Sequence, residues 1–255
     1  MQGALAKHRN ENRIRMNGNL DIVESGEIMK LTLNSPGDRN ALTVKMLTEL
    51  LTGIDRAEAT SRVILIDSLG EMFCSGASLP EVARKGMQAI ASLLVDVQRR
   101  LSASPLPVVS VVRARVQAGG FGLLGASDIV LSKDDVLFQF TEVRNAVAPA
   151  VISLNILHRM PSRRAAELML TGREFDAAEA VAAGIVTRTA VGNEIDAAVE
   201  DLLQELLSGS PQGLAETKQI LNRRILDDHD TLGHLMASTG ARLFNSDEAQ
   251  RLLLA

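Results

Sequence analysis

The sequence predicts an α/β protein. Apolar runs of strand length alternate with amphipathic helical patterns for about 150 residues, and a largely helical stretch follows. Two runs carry most of the weight: Val63-Ile64-Leu65-Ile66-Asp67 and Leu106 to Val112 are short and largely apolar, the pattern of strands buried in a parallel sheet. A chain of 255 residues, 46% of them hydrophobic, can bury one sizeable core with a helical appendage. No repeat at solenoid spacing and no low-complexity linker divides it.

The elements follow in order. Residues 1–16 carry Lys7, Arg9, Arg13 and Arg15 with no long apolar segment after them, which is not the pattern of a secretory signal. They are expected to be a disordered extension, with Met16 an alternative start; a basic arm for an acidic partner is the other reading. Leu20 to Val23 and Ile28 to Leu33 alternate as strands around a turn at Glu24-Ser25-Gly26. After the loop Ser35 to Asn40, a helix is expected from about Thr43, its N-cap, to Glu58. Beyond Val63–Asp67 lie a glycine-containing loop, Phe73 to Leu79, and a helix from about Gly86 to Ala103. Strands are expected near Ile129 to Leu131 and Leu137 to Phe140. Helices are expected over Val151 to His158, Ser162 to Leu170, Ala177 to Ala183 and Glu194 to Ser208, with two more to the end.

Composition narrows the function. A formal charge of -4 gives no whole-protein attraction to nucleic acid or to anionic membranes, and the absence of Trp and Tyr removes the usual base-stacking platforms. No apolar run approaches the ~18 residues of a membrane span. One cysteine, Cys74, excludes an internal disulfide framework and a multi-cysteine metal site, and fits a reducing compartment such as the cytoplasm.

The stretch Gln117 to Asp128 contains Gly120-Phe121-Gly122-Leu123-Leu124-Gly125, a literal G-x-G-x-x-G after a strand. A dinucleotide fingerprint also needs a full helix, a second strand and an acid about 20 residues on. Here the helical segment has about two turns, and Asp134 and Asp135 come too early. A P-loop is absent as well. Two readings stay open: glycines that leave backbone N–H groups free for a developing oxyanion, and glycines that permit close helix–strand packing. The Phe73–Leu79 loop, also following a buried strand, offers a second N–H for the same oxygen.

At this point the chain resembles the crotonase superfamily, of the enoyl-CoA hydratase/isomerase type, from about Leu20 to the C-terminus. Asn34-Ser35-Pro36 through Leu42 is similar to the family's N-R-P-x-x-R-N-A-L, and Phe73 to Leu79 to its F-x-x-G-A-D-L. Ala118-Gly119-Gly120 through Asp128 is similar to its G-G-G segment ending in C-D, and Phe140-Thr141-Glu142-Val143 with Pro149 to F-x-x-P-E…P. Leu170-Thr171-Gly172 and Ala177 to Val186 are similar to L-T-G…A-x-E-A…G-L-V.

The resemblance implies a crotonase-type β-β-α superhelix over residues 17–190 and a helical region over 191–255 that covers the site or packs on a neighbour. It implies an acyl-CoA thioester substrate, with coenzyme A as part of the substrate, no other cofactor and no metal. A homotrimer or hexamer follows from the same likeness. The oxyanion hole would be the N–H groups of Ala77 and Gly119. The residues bordering substrate and CoA would be Arg39, Asn40, Ala41, Ser75, Gly76, Ser78, Leu79 and Gly120.

Glu142 matches one of the hydratases' two catalytic glutamates; Gly122 stands where the other would be. Adding water to a conjugated double bond takes a base for the water and an acid for the α-carbon. With one carboxylate, Glu142 does both or shuttles a single proton, so hydration and a double-bond shift are both open. Pairing of Glu142 with Arg144 or Arg113 is the non-catalytic reading. A non-catalytic acyl-CoA-binding homologue and a carrier-protein-linked decarboxylase or isomerase are the remaining classes. Ser78 replaces the family's Asp. Cys74 has no motif with His8, His158, His229 or His234 and is expected to be inert. Lys218, Arg223 and Arg224 are read either as contacts for CoA phosphates or as a solvated helix face.

Overall fold

A computed structural model describes residues 11–14 and 18–253. Two sheets form the frame. The larger is built from β1 (Glu11–Ile14), β2 (Leu20–Ser25), β3 (Ile28–Leu33), β4 (Val63–Ser68), β6 (Val108–Val112), β8 (Ile129–Lys133) and β11 (Arg188–Ala190), in that spatial order. The smaller runs β10 (Glu174–Asp176), β9 (Leu137–Gln139), β7 (Arg115–Gln117) and β5 (Met72–Cys74). In the larger sheet β1, β2 and β3 form antiparallel pairs and every later pair is parallel. This is the α/β architecture expected. Within residues 1–16, expected to be an extension, Glu11–Ile14 form the strand β1, whose backbone pairs Glu11 with Ser25 and Ile14 with Ile22. Residues 1–10 and 15–17, including His8 and Met16, lie outside the described residues.

The helices are α1 (Val44–Thr60), α2 (Leu79–Lys85), α3 (Gln88–Ala103), α4 (Gly120–Ala126), α5 (Ala150–Arg159), α6 (Ser162–Thr171), α7 (Ala177–Ala182), α8 (Ile195–Ser208), α9 (Pro211–Phe244) and α10 (Asp247–Leu253). Thr43 caps α1 by accepting the Met46 N–H at 3.0 Å. Such a cap typically contributes about 1 kcal/mol. The helix expected from about Gly86 to Ala103 is α3, and a short helix not expected, α2, precedes it and ends at Gly86, which has φ 77°.

The main core lies between the inner face of the larger sheet and α1, α3, α4 and α5. On the opposite face Ile195, Val199, Leu202 and Leu203 of α8 pack on Val63, Leu65, Val109, Val111 and Leu131. That face needs α8 because β4 and β6 are apolar on both sides, so leaving it wet would expose a contiguous apolar surface. The helical region therefore splits in role. α8 closes the back of the sheet, while the long α9 lies across α3 and α5 and brings its last turn to the site.

Candidate active site

The smaller sheet arranges the site. Its strands β5, β7 and β9 run parallel, with Cys74 beside Val116 and Gln117 beside Gln139. All three hand the chain to a loop at the same edge: Ala77 follows β5, Gly119 follows β7 and Glu142 follows β9. Ligands of parallel sheets bind at the carboxyl ends of the strands, and this small sheet places one functional group on each.

The two N–H donors come first. Leu42 N donates to the Gly76 carbonyl at 2.7 Å, and Ser78 N donates to the Leu42 carbonyl at 2.9 Å. That parallel bridge turns the intervening Ala77 N–H away from α1. The Ala77 and Gly119 N–H groups donate no hydrogen bond to the described residues. Ala118 sits at φ 44°, a left-handed conformation for a residue with a Cβ. Strain of that kind, on the order of 1–3 kcal/mol, persists where the surroundings force it and clusters at functional sites. A Cβ on Gly119 would lie 3.2 Å from Gly76 Cα and 3.7 Å from Ala77 N, so the two donors are neighbours.

The other glycines of the G-x-G-x-x-G are packing positions. A Cβ on Gly120 would meet Cys74 Cβ at 3.1 Å, and one on Gly125 would meet Asn155 Cβ at 2.9 Å. The packing reading applies to Gly120 and Gly125, which let α4 pack closely on its neighbours, while the Gly119 N–H has no acceptor among the described residues. Gly120 is buried beneath Cys74 rather than at a substrate surface. Four stacked rings, Phe121, Phe138, Phe140 and Phe175, lock α4 to the small sheet, with the Phe121 and Phe140 centroids 3.9 Å apart.

Glu142 opens a short 3-10 turn, Glu142–Asn145, after β9. Its side chain is buried, and Oε2 has no hydrogen-bond partner. Burial pushes the carboxyl up to about 7, opposed only by a hydrogen bond from its own backbone N–H. Pairing with Arg113 is excluded, because that guanidinium binds Asp67 at 3.1 Å and Asp196 at 2.6 Å. Among the described residues Arg144 makes no ion pair with Glu142 either. Glu142 shares one cavity of about 60 Å³ with Ala77, Ala118 and Gly119, walled by Met87, Leu94, Pro149, Val151, Gly240 and Phe244. A near-neutral carboxyl facing two free N–H donors across an apolar pocket is suited to moving a proton next to a carbonyl that becomes an oxyanion.

The loop expected to border CoA behaves as a scaffold. Asn40 is fully buried and its side chain is spent internally: Nδ2 donates to the carbonyls of Leu69 and Met72, both at 2.8 Å, and Oδ1 accepts from Ser35 N at 2.7 Å. Its expected substrate contact is corrected to a loop-forming role. Ser75 N donates to the Arg39 carbonyl, which ties this loop to the oxyanion loop. Arg39 is exposed, Ala41, Ser75 and Ser78 are partly exposed, and Leu79 opens α2 with 38% of its surface exposed.

Other residues sort out plainly. Cys74 is buried and its thiol is pushed up to about 12, which leaves it inert at neutral pH. Lys218 is buried, with Nζ 2.8 Å from Asp128 Oδ2 and bonded to the Leu101 and Leu106 carbonyls, so it neither meets CoA phosphates nor faces solvent. Arg223, Arg224 and His234 are exposed. His158 bonds Asp228 at 2.7 Å, and His229 bonds Asn155 at 2.7 Å. Among the described residues no three His, Cys, Asp or Glu side chains converge as metal ligands, and no helix is long and apolar enough to cross a membrane.

Sequence reading missed Gln98. It is fully buried on α3, and a Cβ on Gly122 would lie 3.2 Å from its Cδ. The signal was present: Gln98 falls on the apolar stripe of Ala91, Leu94, Val95 and Leu101, where a polar side chain needs a reason.

Fold and site together define a protein of the crotonase superfamily. The family model for enoyl-CoA hydratase/isomerase matches residues 24–253, and the chain belongs to that family. The crystal structure of an enoyl-CoA hydratase from Mycobacterium avium is similar over 94% of this chain and 96% of its own, at 36% identity and a TM-score of 0.86. Mevalonyl-coenzyme A hydratase sidH of Aspergillus fumigatus is 29% identical over 76% of this chain and 74% of its own. The bacillaene synthase dehydratase PksH of Bacillus subtilis is 26% identical over 75% and 76%, respectively.

Proposed function

We propose that the protein hydrates a 2-enoyl-CoA thioester through an enolate, with Glu142 as the one carboxylate in the reaction. The observation that carries this reading is the buried, unpaired Glu142 carboxyl in the same small cavity as the free Ala77 and Gly119 N–H groups. The two N–H groups hold the thioester oxygen. Water oxygen bonds to Cβ, the Cα=Cβ electron pair shifts to form the enolate's Cα=C1 bond, and the carbonyl pair moves onto the thioester oxygen. Glu142 takes a proton from the water and returns one to Cα as the enolate collapses. Losing one oxyanion donor would raise the barrier by about 3–4 kcal/mol. The hydratase and dehydratase names of sidH and PksH support addition or removal of water over other enolate chemistry.

A double-bond shift is the second reading. Among the described residues Glu142 is the only ionisable side chain lining the cavity, which suits a single proton carried between the α and γ carbons. A panel of 2-enoyl- and 3-enoyl-CoAs in deuterated water separates the two. Water addition with deuterium at Cα supports hydration, and a moved double bond without water supports the shift. Tight thioester binding with no turnover would make the protein a non-catalytic homologue. Turnover confined to acyl-carrier-protein thioesters would make it carrier-linked. The trimer or hexamer implied by the resemblance has a surface to use: exposed Val143, Leu157 and Leu170 line a groove with Pro149 and Met169. Light scattering of the purified protein tests that assembly.

A further inference from the structure

We infer that Gln139 is a positioning residue whose side chain sets the spacing between the Gly119 N–H and the Glu142 carboxyl; the inference rests on the reading above that these groups act on one thioester. Gln139 ends β9, is buried and does not line the cavity. It works through the residues that do.

β7 and β9 need such a device. They pair at two positions only, Val116 with Phe138 and Gln117 with Gln139, and both strands end there. So short a ladder fixes the register weakly. Side chains alternate between the two faces of a strand, and the two faces of this pair are held differently. On one face Phe138 stacks with Phe121 and Phe175. On the other face the contacts are polar, and Gln139 is at their centre. Its Oε1 accepts from Gln117 Nε2 at 3.1 Å and from Arg115 at 3.4 Å, while its Nε2 donates to the Gly172 carbonyl at 2.9 Å. Arg115 is paired in turn with Glu174, which stands opposite Gln139 on β10. Arginine has only donors and a carbonyl only accepts, so the amide can face one way.

Each end of that amide leads to one half of the site. Toward β7, Gln117 lies two residues before Gly119. The Gln139 carbonyl also accepts the Ala118 N–H at 3.3 Å, which helps hold Ala118 at φ 44°. Toward α6, Gly172 backs the turn that Glu142 opens: a Cβ on Gly172 would lie 3.0 Å from Val143 Cγ1 and 3.1 Å from the Phe140 carbonyl oxygen. Cutting the amide out therefore frees the oxyanion loop and the carboxyl turn to shift against each other. A misplacement of about 1 Å, even by a change remote from the chemistry, can cost about 100-fold in rate.

The test is Gln139→Met, which keeps the side-chain length and removes both polar atoms. Two rates are read: hydration of a short 2-enoyl-CoA, and deuterium wash-in at Cα of a saturated acyl-CoA. Both need the N–H donors and the carboxyl in register. The expected result is a fall of about 10- to 100-fold in both, with KM within about threefold of the wild type. The ascending limb of the pH–rate profile moves below 7 by about one unit, because a displaced Glu142 is less fully desolvated. Gln117→Met removes one donor to Oε1 and gives a smaller loss in the same sense. The double variant is no slower than Gln139→Met alone, since both act through one contact. Wild-type rates in folded Gln139→Met overturn the assignment, and so does a slower enzyme whose limb stays in place. If Gln139→Met does not fold, Gln117→Met decides by the same two readouts. A wild-type protein that neither hydrates a 2-enoyl-CoA nor exchanges Cα protons overturns the proposed function and this assignment together.

Discussion

Gly76 stands directly against the loop after β7: a Cβ on Gly76 would lie 3.2 Å from the Gly119 nitrogen and 2.8 Å from the Ala118 Cβ. Gly76 also has φ 96°, a conformation open to glycine and strained for other residues. Gly76→Ala is therefore expected to push the two loops apart and separate the Ala77 and Gly119 donors. We expect kcat to fall by about 100- to 1,000-fold, the typical effect of losing one oxyanion donor, while the circular dichroism spectrum is kept. Wild-type activity in a folded Gly76→Ala protein would remove these N–H groups from the mechanism.

The burial that raises Glu142 to about 7 ties activity to stability in opposite senses. The carboxylate form takes the proton from water, so kcat/KM is expected to rise with pH through a limb near 7. The folded-state value lies above the ordinary 4.5, so the native protein binds the extra proton between those values. Its stabilising contribution is complete below about pH 4.5 and is lost as pH rises through 7. Glu142→Gln removes that loss. It is expected to abolish turnover, to keep acyl-CoA binding, and to be more stable than the wild type at pH 8 by on the order of 3 kcal/mol. Thermal melts at pH 5 and pH 8 check this; equal differences at both pH values would contradict it.

The division between what was legible and what was not follows from length and separation along the chain. Val63–Ser68 and Val108–Val112 announce themselves because a doubly buried strand is apolar at most positions, with Asp67, Ser68 and Ser110 the polar exceptions. The strands that position the site have only three residues each, too few to show a period, so β5 and β7 stayed hidden although their loops were found through glycine. Ala77, Gly119 and Glu142 were named through the resemblance to the family's motifs, and the fold brings all three to one cavity. Gln98 was missed because its meaning depends on Gly122 across the α3–α4 interface, not on any local pattern. Lys218 was misread because lysine is rarely buried, and its partner Asp128 is remote in sequence.

That pair makes a sharp stability prediction. Asp128 Oδ2 accepts from Val108 N and pairs with Lys218, while Oδ1 accepts from Asn222 Nδ2 at 3.1 Å. The carboxylate thus joins β6 to α9, and removing Lys218 leaves a largely buried charge with only the more weakly coupled Arg159 to offset it. Lys218→Met is expected to cost about 3–5 kcal/mol in urea unfolding at pH 7. Adding Asp128→Asn should recover part of that loss, because the orphaned charge disappears; a double variant no better than the single one would show that Lys218 acts through packing alone.

The last turn of α9 is expected to set the size of the acyl group that the cavity accepts. Phe244 is half-buried and walls the cavity opposite Glu142's loop, together with Met87, Leu94 and Gly240. Phe244→Ala opens that wall without touching Ala77, Gly119 or Glu142, so longer or branched enoyl-CoAs should gain in kcat/KM relative to short ones. One methylene in an apolar pocket is worth about 1–3 kcal/mol, so a shift of about tenfold in relative preference is expected for each added carbon that fits. Gly240→Leu works in the opposite direction. A Cβ there meets Val151 at an ordinary 3.8 Å, so the helix tolerates it, while the rest of the side chain fills the cavity. It should exclude all but the shortest acyl groups. A chain-length profile that moves in neither variant would show that the acyl group leaves the Glu142 cavity by another side.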